Sequence, residues 1–207
     1  MFQVKDISFL RSDEPIFEPV SFSLQSKGIL LIEGRNGSGK TTLLKILAGL
    51  LEPDDGSIYW DSEEVSYVEL KEYARTAYLS HSAGFKDELT TVENLQFVID
   101  LYGGSNMTAE ESLEKVGLAG YEFSMGKQLS AGQRKRLMLA RLLLTGSNLW
   151  LLDEPFSNLD SVGMALVNTL ISQHISNGGM VIATSHGTFA VDAGQPDILR
   201  LEAATYA

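Results

Sequence analysis

The sequence predicts an α/β fold with a parallel sheet at its centre, because three short runs are almost continuously apolar. The runs span residues 28–33, 149–152 and 180–185. Strands that are apolar on both faces are typical of a sheet that helices cover on both sides. A glycine-rich turn follows the first run and leads into a segment, 41–50, with helical spacing. At 207 residues, 44% of them hydrophobic and 21% charged, the chain is long enough to bury a core, and we expect one domain.

The glycine-rich turn, residues 34–42, fits the phosphate-binding pattern G-x-x-x-x-G-K-[ST]. Small residues allow backbone N–H groups to surround phosphate oxygens, and a following helix points its unpaired N–H groups at the same anion. The pattern predicts that Lys40 reaches the β- and γ-phosphates, that Thr41 ligates Mg²⁺ and that Thr42 lies near the α-phosphate. The loop residues predicted to bind the nucleotide are Gly34, Asn36, Gly37, Ser38 and Gly39. The alternative interpretation is a glycine-rich turn beside an exposed lysine.

Polar and apolar residues alternate in two N-terminal segments, 2–9 and 16–24, and Pro19 interrupts the second. Alternation is typical of half-exposed antiparallel strands, so we expect an antiparallel sheet beside the nucleotide. A turn at 52–56 leads to a further strand at 57–60.

The stretch from about residue 82 to 146 is predicted to be a helical insertion. Thr90 and Thr108 are each followed three residues later by glutamate, which is the spacing of a capping box at a helix start. Apolar residues form a stripe on the first of these helices: Leu95, Val98, Ile99 and Tyr102. The single domain, 1–207, is therefore predicted to have two parts: a core with its β-subdomain at 1–81 and 147–207, and a helical subdomain at 82–146.

Two acidic residues, Asp153 and Glu154, directly follow the apolar run 149–152. A buried parallel strand delivers such residues to the carboxyl end of a sheet, where α/β proteins bind their ligands. Nucleotide hydrolysis needs ligands for Mg²⁺ and a group that orients or deprotonates the attacking water. We assign Mg²⁺ to Asp153 and the water to Glu154, against the alternative of two solvated acids at a strand end.

The formal net charge of −11 argues against nucleic acid and anionic lipid as direct ligands, because both would be repelled. The sequence has no cysteine, which excludes disulfides and thiolate metal sites and is consistent with a reducing compartment. The N-terminus lacks the features of a signal peptide, and no run approaches the roughly 18 apolar residues of a membrane helix. We expect a cytoplasmic protein whose role at a membrane depends on other subunits.

Five features in this order resemble the nucleotide-binding subunits of ABC transporters. They are the P-loop at 34–42, the signature Leu129-Ser130-Ala131-Gly132-Gln133, the Walker B run at 149–154, the D-loop Ser157-Asn158-Leu159-Asp160 and the switch histidine His186. The resemblance covers essentially the whole chain and implies an α/β P-loop NTPase of the ABC ATPase type. It implies a RecA-like parallel-sheet core, an N-terminal antiparallel β-subdomain and a helical signature subdomain. Within the family, the chain resembles the ATPase subunits of haem export in cytochrome c maturation, for example at Ile32-Glu33-Gly34, at 149–156 and at 178–181.

The resemblance implies further roles. His186 is implied to contact the γ-phosphate of ATP, and Asp160 to belong to the nucleotide site. The signature residues Ser130, Ala131, Gly132 and Gln133 are implied to contact ATP on the P-loop of a second copy, so that a head-to-tail dimer buries two ATP molecules. Ser130 is also explained as a plain helix N-cap, but the small residues after it favour a close approach to phosphate. The implied partners are transmembrane permease subunits, which places the chain peripherally on the inner face of the cell membrane.

Two positions depart from the family pattern. His81 stands where most members have a glutamine that binds Mg²⁺ and senses the membrane partner, and Mg²⁺ prefers oxygen ligands. An adenine-stacking aromatic residue is not obvious: Arg11 could stack through its guanidinium plane, or Phe9 or Phe17 could take that place. The surface around residues 83–86 is predicted to receive a short helix of the membrane subunit.

The most specific hypothesis is an ATPase subunit that powers haem export or haem-chaperone release in cytochrome c maturation. The alternatives are the ATPase of another ABC exporter, a small P-loop kinase, and a soluble ABC protein of assembly or repair. Kinases lack a signature before Walker B, and the soluble ABC proteins usually carry larger accessory regions.

Overall fold

The computed structural model describes residues 1–67, 69–70, 76–80, 84–102, 106–185 and 194–204. Within these ranges the strands are β1 (Phe2–Ser8), β2 (Leu10–Arg11), β3 (Glu14–Pro15), β4 (Val20–Leu24), β5 (Ile29–Glu33), β6 (Asp55–Trp60), β7 (Glu63–Val65), β8 (Thr76–Leu79), β9 (Leu149–Leu152), β10 (Met180–Thr184) and β11 (Asp197–Arg200). The α-helices are α1 (Lys40–Leu47), α2 (Thr91–Tyr102), α3 (Ala109–Lys115), α4 (Ala131–Leu144) and α5 (Ser161–Ser176), with a 3-10 turn at Gly126–Gln128.

A five-stranded parallel sheet forms the centre of the fold, in the order β11-β5-β10-β9-β8. Its three middle strands are the apolar runs of the sequence, and every residue of β9 and β10 is buried. Ile182 of β10 lies between Leu30 of β5 and Leu151 of β9, so the P-loop strand and the Walker B strand end at the same edge. The predicted α/β fold with a parallel core is confirmed.

An antiparallel sheet of four strands, β4-β1-β6-β7, lies beside the core. It confirms the antiparallel prediction for residues 2–9. The predicted strand 16–24 is wrong at its start, because β4 begins only at Val20, while β3 pairs with β2 in a separate hairpin. Ser12 and Asp13 have φ of 53° and 65°, which forms the tight turn of this hairpin.

Two hydrophobic cores flank the parallel sheet, and its strands supply alternate residues to each. Ile29 and Leu31 of β5 pack into the core beneath the helical part of the chain. Leu30 and Ile32 pack into the core shared with α1 and the antiparallel sheet. Because strand side chains alternate between faces, one continuously apolar strand joins both cores and fixes the P-loop that follows it.

The helical part consists of α2, α3 and α4, which pack on one another. Both predicted capping boxes form: Glu93 N donates to Thr90 Oγ1 (3.2 Å), Thr90 N donates to Glu93 Oε2 (2.7 Å), and Thr108 pairs reciprocally with Glu111. Leu95 and Val98 are buried, whereas Tyr102 is 38% exposed, so the predicted apolar stripe of α2 ends before Tyr102. The subdomain boundaries at 81–82 and 146–147 stay a prediction. Among the described helices, none combines the length and the apolar character needed to cross a membrane.

Candidate nucleotide and carboxylate site

The P-loop joins β5 to α1 through a turn that glycines permit. Ser38 N donates to Arg35 O at 3.1 Å, and the backbone of Gly37 and Gly39 is left-handed, with φ of 82° and 94°. A side chain is disfavoured at such φ values, and a Cβ on Gly39 would also lie 2.6 Å from the Phe17 ring. Because these glycines have no side chain, the backbone of the turn can pass close to the Phe17 ring and lead directly into α1.

Lys40, the first residue of α1, is folded back over the loop and is only 6% exposed. Its Nζ donates to Gly34 O (2.8 Å) and Arg35 O (3.0 Å). Burial lowers the pKa of this ammonium group, and the charges of Glu154 and Asp153 oppose that shift. The alternative of a glycine-rich turn with an exposed lysine is therefore wrong, because Lys40 is a buried cation facing two acids.

Asp153 is the best-connected acid of the site and is only 3% exposed. Its Oδ2 accepts from Thr41 Oγ1 (2.9 Å) and its Oδ1 accepts from Thr184 Oγ1 (2.8 Å). Its backbone N–H donates to Leu79 O (2.8 Å). The alternative of two solvated acids is wrong for Asp153, because hydroxyl groups of α1 and β10 hold its carboxylate beside the P-loop.

Tyr78 also approaches this carboxylate from β8, with its hydroxyl 3.5 Å from Asp153 Oδ2. Burial raises the pKa of the Tyr78 phenol, and the negative charge of Asp153 raises it further. Tyr78 therefore remains a neutral hydrogen-bond donor beside the acid at ordinary pH.

Glu154 lines a cleft of about 500 Å³ together with the P-loop and the start of α1. Its φ of 49° is left-handed, which turns the chain sharply after Asp153 and points the two acids differently. The lining of the cleft is Arg11, Ile16, Asn36, Gly37, Gly39, Lys40, Thr41, Thr42 and Glu154. The cleft thus collects predicted phosphate, metal and water ligands in one place.

The lining of this cleft distinguishes between the three candidates for the adenine-stacking residue. Arg11 and Ile16 line the cleft, whereas Phe9 packs against the core that contains α1. Phe17 is fully buried beneath Gly39. Of the three predicted candidates, the geometry favours Arg11.

The signature residues lie at the start of α4, away from the lining of the cleft. Ser130 is the N-cap: its Oγ accepts from Gln133 N (3.2 Å), and Ser130 N donates to Gln133 Oε1 (2.9 Å). Ser130 and Ala131 are exposed, and a Cβ on Gly132 would meet no atom of the described residues within 4 Å other than the backbone of its own helix. The structure thus brings together the P-loop and the acids, but not the signature with its own P-loop.

Three other predicted positions have different outcomes. Asp160 caps α5, where its Oδ1 accepts from Gly163 N at 2.7 Å, and it is outside the lining of the cleft. His186 and His81 lie outside the described residues, as does Ala83 of the predicted partner surface. Their predicted roles stay predictions.

Sequence reasoning missed two residues that hold the acids. Thr184 is fully buried at the end of β10, and its hydroxyl contacts both Asp153 and Glu154 N (3.0 Å). Lys135 is 7% exposed on α4 and donates to Glu154 O at 3.0 Å. A polar residue inside an apolar run is a usable signal for Thr184, since buried hydroxyls need partners.

Together, the fold and the site define a P-loop ATPase that carries a signature helix. The sequence model of the ABC transporter family matches residues 17–157. The chain is 46% identical over 200 residues to "Cytochrome c biogenesis ATP-binding export protein CcmA" of Xanthomonas axonopodis pv. citri, covering 96% of this chain and 92% of that protein. It is 37% identical over 202 residues to the protein of the same name from Aliivibrio fischeri, covering 97% and 99%. The chain therefore belongs to the ABC transporter family, as an ATPase subunit of the CcmA group.

Solved structures share the fold over nearly the whole chain. The dimeric ATP-binding cassette MJ0796, in a post-hydrolysis state with ADP and Pi, superposes with a TM-score of 0.84 at 24% identity, covering 98% of this chain and 94% of that one. A further structure, an ATP-binding subunit of an ABC transporter, superposes at 0.79 with 26% identity, covering 90% and 80%. The predicted ABC ATPase type of P-loop fold is confirmed.

Proposed function

We propose that this chain binds and hydrolyses ATP as the energy-supplying subunit of an exporter, and that it powers haem export or haem-chaperone release in cytochrome c maturation. One observation carries the ATPase proposal: Lys40, Thr41 and Glu154 line one cleft, and buried Asp153 accepts a hydrogen bond from Thr41. The names of the relatives, which refer to cytochrome c biogenesis and export, support the pathway.

The residues present fit ATP and Mg²⁺. The Ser38 hydroxyl is 2% exposed and has no hydrogen-bond partner among the described residues, which suits a phosphate oxygen as its acceptor. Thr41 Oγ1 and the Asp153 carboxylate are oxygen ligands of the kind that Mg²⁺ prefers. When bound, Mg²⁺ would neutralise charge on the β- and γ-phosphates.

The protein's own groups account for the remaining tasks. Lys40 Nζ exchanges its contacts to loop carbonyls for phosphate oxygens, and the start of α1 adds backbone N–H groups and the Thr42 hydroxyl. Glu154 orients and deprotonates the attacking water, and His186 is proposed to contact the γ-phosphate. Arg11 binds the adenine ring through its guanidinium face, with Ile16 beside it.

The site is proposed to be completed by a second copy of the chain. Glycine within the first turn of a helix costs up to about 1 kcal/mol relative to alanine. Outside its own helix, no described residue would exclude a Cβ on Gly132, so the described part of the chain gives no packing reason for glycine. A close approach of phosphate from outside gives one, with Ser130, Ala131 and Gln133 beside it and Asp160 of the D-loop at the same interface.

The partner in the membrane is proposed to bind a groove of about 340 Å³ between α1, β8, α2 and α4. Leu50 (58% exposed) and Tyr102 (38% exposed) line this groove, and Arg141 reaches across it to donate to Gly84 O. Exposed apolar side chains in a concave surface are typical of a protein contact. Binding there would hold the chain peripherally on the inner face of the membrane.

Glu154→Gln tests the proposed ATPase. We expect phosphate release to fall about 10²- to 10⁴-fold, because the general base is lost, while ATP binding persists. Gel filtration with ATP and Mg²⁺ should then show a dimer that dissociates without nucleotide. Normal phosphate release by this variant contradicts the role of Glu154, and absence of phosphate release from the unmodified chain contradicts the proposed function.

Tyr102→Asp tests the proposed groove. Phe85 is a poorer choice, because it packs on Gly126 and a substitution there would also disturb the fold. We expect Tyr102→Asp to abolish co-purification of the membrane subunits, and of any haem they carry, from cells in mild detergent. The matched control is Leu101→Asp, which places the same charge on an exposed residue of α2 outside the groove lining. Equal recovery of the membrane subunits with both variants contradicts the proposed groove.

A further inference from the structure

The backbone of Glu154 is fixed from several directions in an unfavourable conformation. Its φ of 49° is uncommon for a residue with a side chain. Its N–H donates to Thr184 Oγ1 at 3.0 Å. Its carbonyl oxygen accepts from Ser157 N (3.1 Å), Ser157 Oγ (2.9 Å) and Lys135 Nζ (3.0 Å). Such a conformation persists only where surrounding contacts impose it.

Lys135 comes from a different part of the fold than the other two residues that hold this backbone. It lies in the second turn of α4, whose first turn carries the signature, and its side chain is 7% exposed. Of the three consecutive basic residues 134–136, Arg134 donates to Leu129 O and Lys127 O and Arg136 donates to Val116 O, all within the helical part. Lys135 is therefore the member of this run that reaches the carboxylate site.

Holding an ammonium group at this position is costly unless it has a partner. Burial lowers the pKa of Lys135, and the nearby charges of Asp153 and Glu154 oppose that shift. Its contact with the Glu154 carbonyl is a charge-assisted hydrogen bond, the stronger kind. This contact offsets part of the cost of burying the ammonium group, and it holds the end of the Lys135 side chain at the Glu154 carbonyl.

We propose that Lys135 is a positioning residue that links the signature helix to the catalytic glutamate of the same copy. This inference rests on the proposed head-to-tail dimer. There, the signature of one copy contacts the ATP of the second copy, while Glu154 of the first copy serves its own ATP. Lys135 thus joins the two ATP sites. When the signature of one copy engages the ATP of the second copy, α4 moves. Lys135 transmits this movement to the Glu154 carbonyl of its own copy, whose glutamate acts on that copy's own ATP.

Lys135→Met tests this link, because methionine has a similar volume and no donor. We expect kcat to fall at least about tenfold, the cost of one charge-assisted hydrogen bond in the transition state. The affinity for a fluorescent ATP analogue should change less than about twofold, since the P-loop contacts remain. The cooperativity of hydrolysis with ATP concentration should be lost. The matched control is Lys127→Met, which removes an exposed lysine that precedes the signature and should leave all three quantities unchanged.

Ser157→Ala provides a second variant, in case Lys135→Met does not fold. It removes another donor from the same carbonyl, so we expect a smaller loss of kcat, again without loss of nucleotide affinity. In a double variant the loss of kcat should be more than additive, because either donor partly satisfies the Glu154 carbonyl when the other is removed. Additive effects, or Ser157→Ala and Lys135→Met with unchanged kcat, overturn the inference.

Mixed dimers show which copy carries the defect. In a dimer of a Lys135→Met copy with a Glu154→Gln copy, the one remaining glutamate lacks its lysine, and hydrolysis should be slow. In a dimer of an unmodified copy with a copy carrying both changes, the remaining glutamate keeps its lysine, and hydrolysis should be several-fold faster. Equal rates in the two mixed dimers overturn the inference. Hydrolysis by the unmodified chain is measured alongside, so that failure of the proposed ATPase is recognised separately.

Discussion

The carboxylate site and the signature differ in what surrounds them. Around Asp153, side chains from α1, β8 and β10 provide hydrogen bonds, and the acid is almost fully buried. At the signature, Ser130 and Ala131 face solvent, and Gly132 has open space around it. The first region has its partners within the chain, whereas the second includes a glycine, Gly132, for which the described residues give no packing reason.

The same difference distinguishes glycines that the packing of the fold requires from a glycine that the packing does not require. A glycine such as Gly34 is required by the fold, since a Cβ there would lie 2.5 Å from Ser38 Oγ and 2.6 Å from Leu201 O. Gly132 has no such contact. A substitution at the first kind of site changes stability and activity together, and a substitution at the second kind should change activity alone.

The largest expected effect is that of Gly132→Ala compared with Gly34→Ala. We expect Gly132→Ala to lower ATP hydrolysis about 10²-fold, because a methyl group displaces the second copy's phosphate by about 1 Å. The same change should leave the free energy of unfolding equal or raise it by up to about 1 kcal/mol. Gly34→Ala should reduce both, with a loss of about 1–3 kcal/mol from overpacking. Urea unfolding and phosphate release measure the two quantities.

Two outcomes for Gly132→Ala would contradict the comparison with Gly34→Ala. If Gly132→Ala destabilised the isolated chain, the glycine would have a role within α4 that the structure does not show. If it left hydrolysis intact, the signature would not approach a phosphate, and the proposed dimer would lose its main support.

Thr184→Val tests the carboxylate site, whose hydrogen-bond partners lie within the chain. The substitution keeps the shape of the side chain but removes the hydroxyl that bonds Asp153 Oδ1 and Glu154 N. A buried group left without its partner costs about 1–3 kcal/mol, so stability should fall by that amount and kcat by about tenfold. The control, Thr169→Val, removes an exposed hydroxyl bonded to Ala165 O and should change neither. Unchanged stability in Thr184→Val would show that water or another group satisfies Asp153 instead.

Whether a contact is set by neighbouring residues or by residues distant in sequence explains how much the sequence could predict. The P-loop and the two acids lie within short motifs whose spacing defines their chemistry, so the sequence predicts one shared site for them, and in the structure Thr41 donates to Asp153. The apolar runs likewise predicted the strands of the parallel sheet, because burial on both faces leaves a continuous pattern. These features depend on neighbours in sequence or on burial alone.

Other contacts depend on pairings distant in sequence. Thr184 meets Asp153 across 31 positions and Lys135 meets Glu154 across 19, and no local pattern specifies either pair. The predicted strand 16–24 is too long because alternation alone does not show where pairing begins: Phe17 forms only an isolated bridge with Ala203, and β4 begins at Val20. Phe17 was a candidate for adenine because its type suits stacking, whereas its burial beneath Gly39 is visible only in the fold.

The smallest expected effect on hydrolysis is that of His174, whose titration at acid pH weakens the whole fold rather than the carboxylate site or the signature. His174 of α5 stacks on Trp150 of β9, with ring centroids 4.0 Å apart. Burial lowers the pKa of His174 to about 4, against the opposing effect of its hydrogen bonds to Met180 O and at Asn148. Because the unfolded chain has the higher pKa, near 6.5, it binds more protons, so stability falls as the pH decreases from above 6.5 through about 4.

This linkage should cost about 2 kcal/mol at pH 5 relative to pH 7. His174→Gln removes the titrating group, so its free energy of unfolding in urea should decrease less between these pH values than that of the unmodified chain. Its hydrolysis rate at pH 7 should be unchanged, since His174 contacts neither the carboxylate site nor the signature. If the variant and the unmodified chain lost stability in parallel, the acid sensitivity would arise from other groups. A loss of hydrolysis that persisted in a fully folded variant at pH 5 would then locate the titration in the nucleotide site itself.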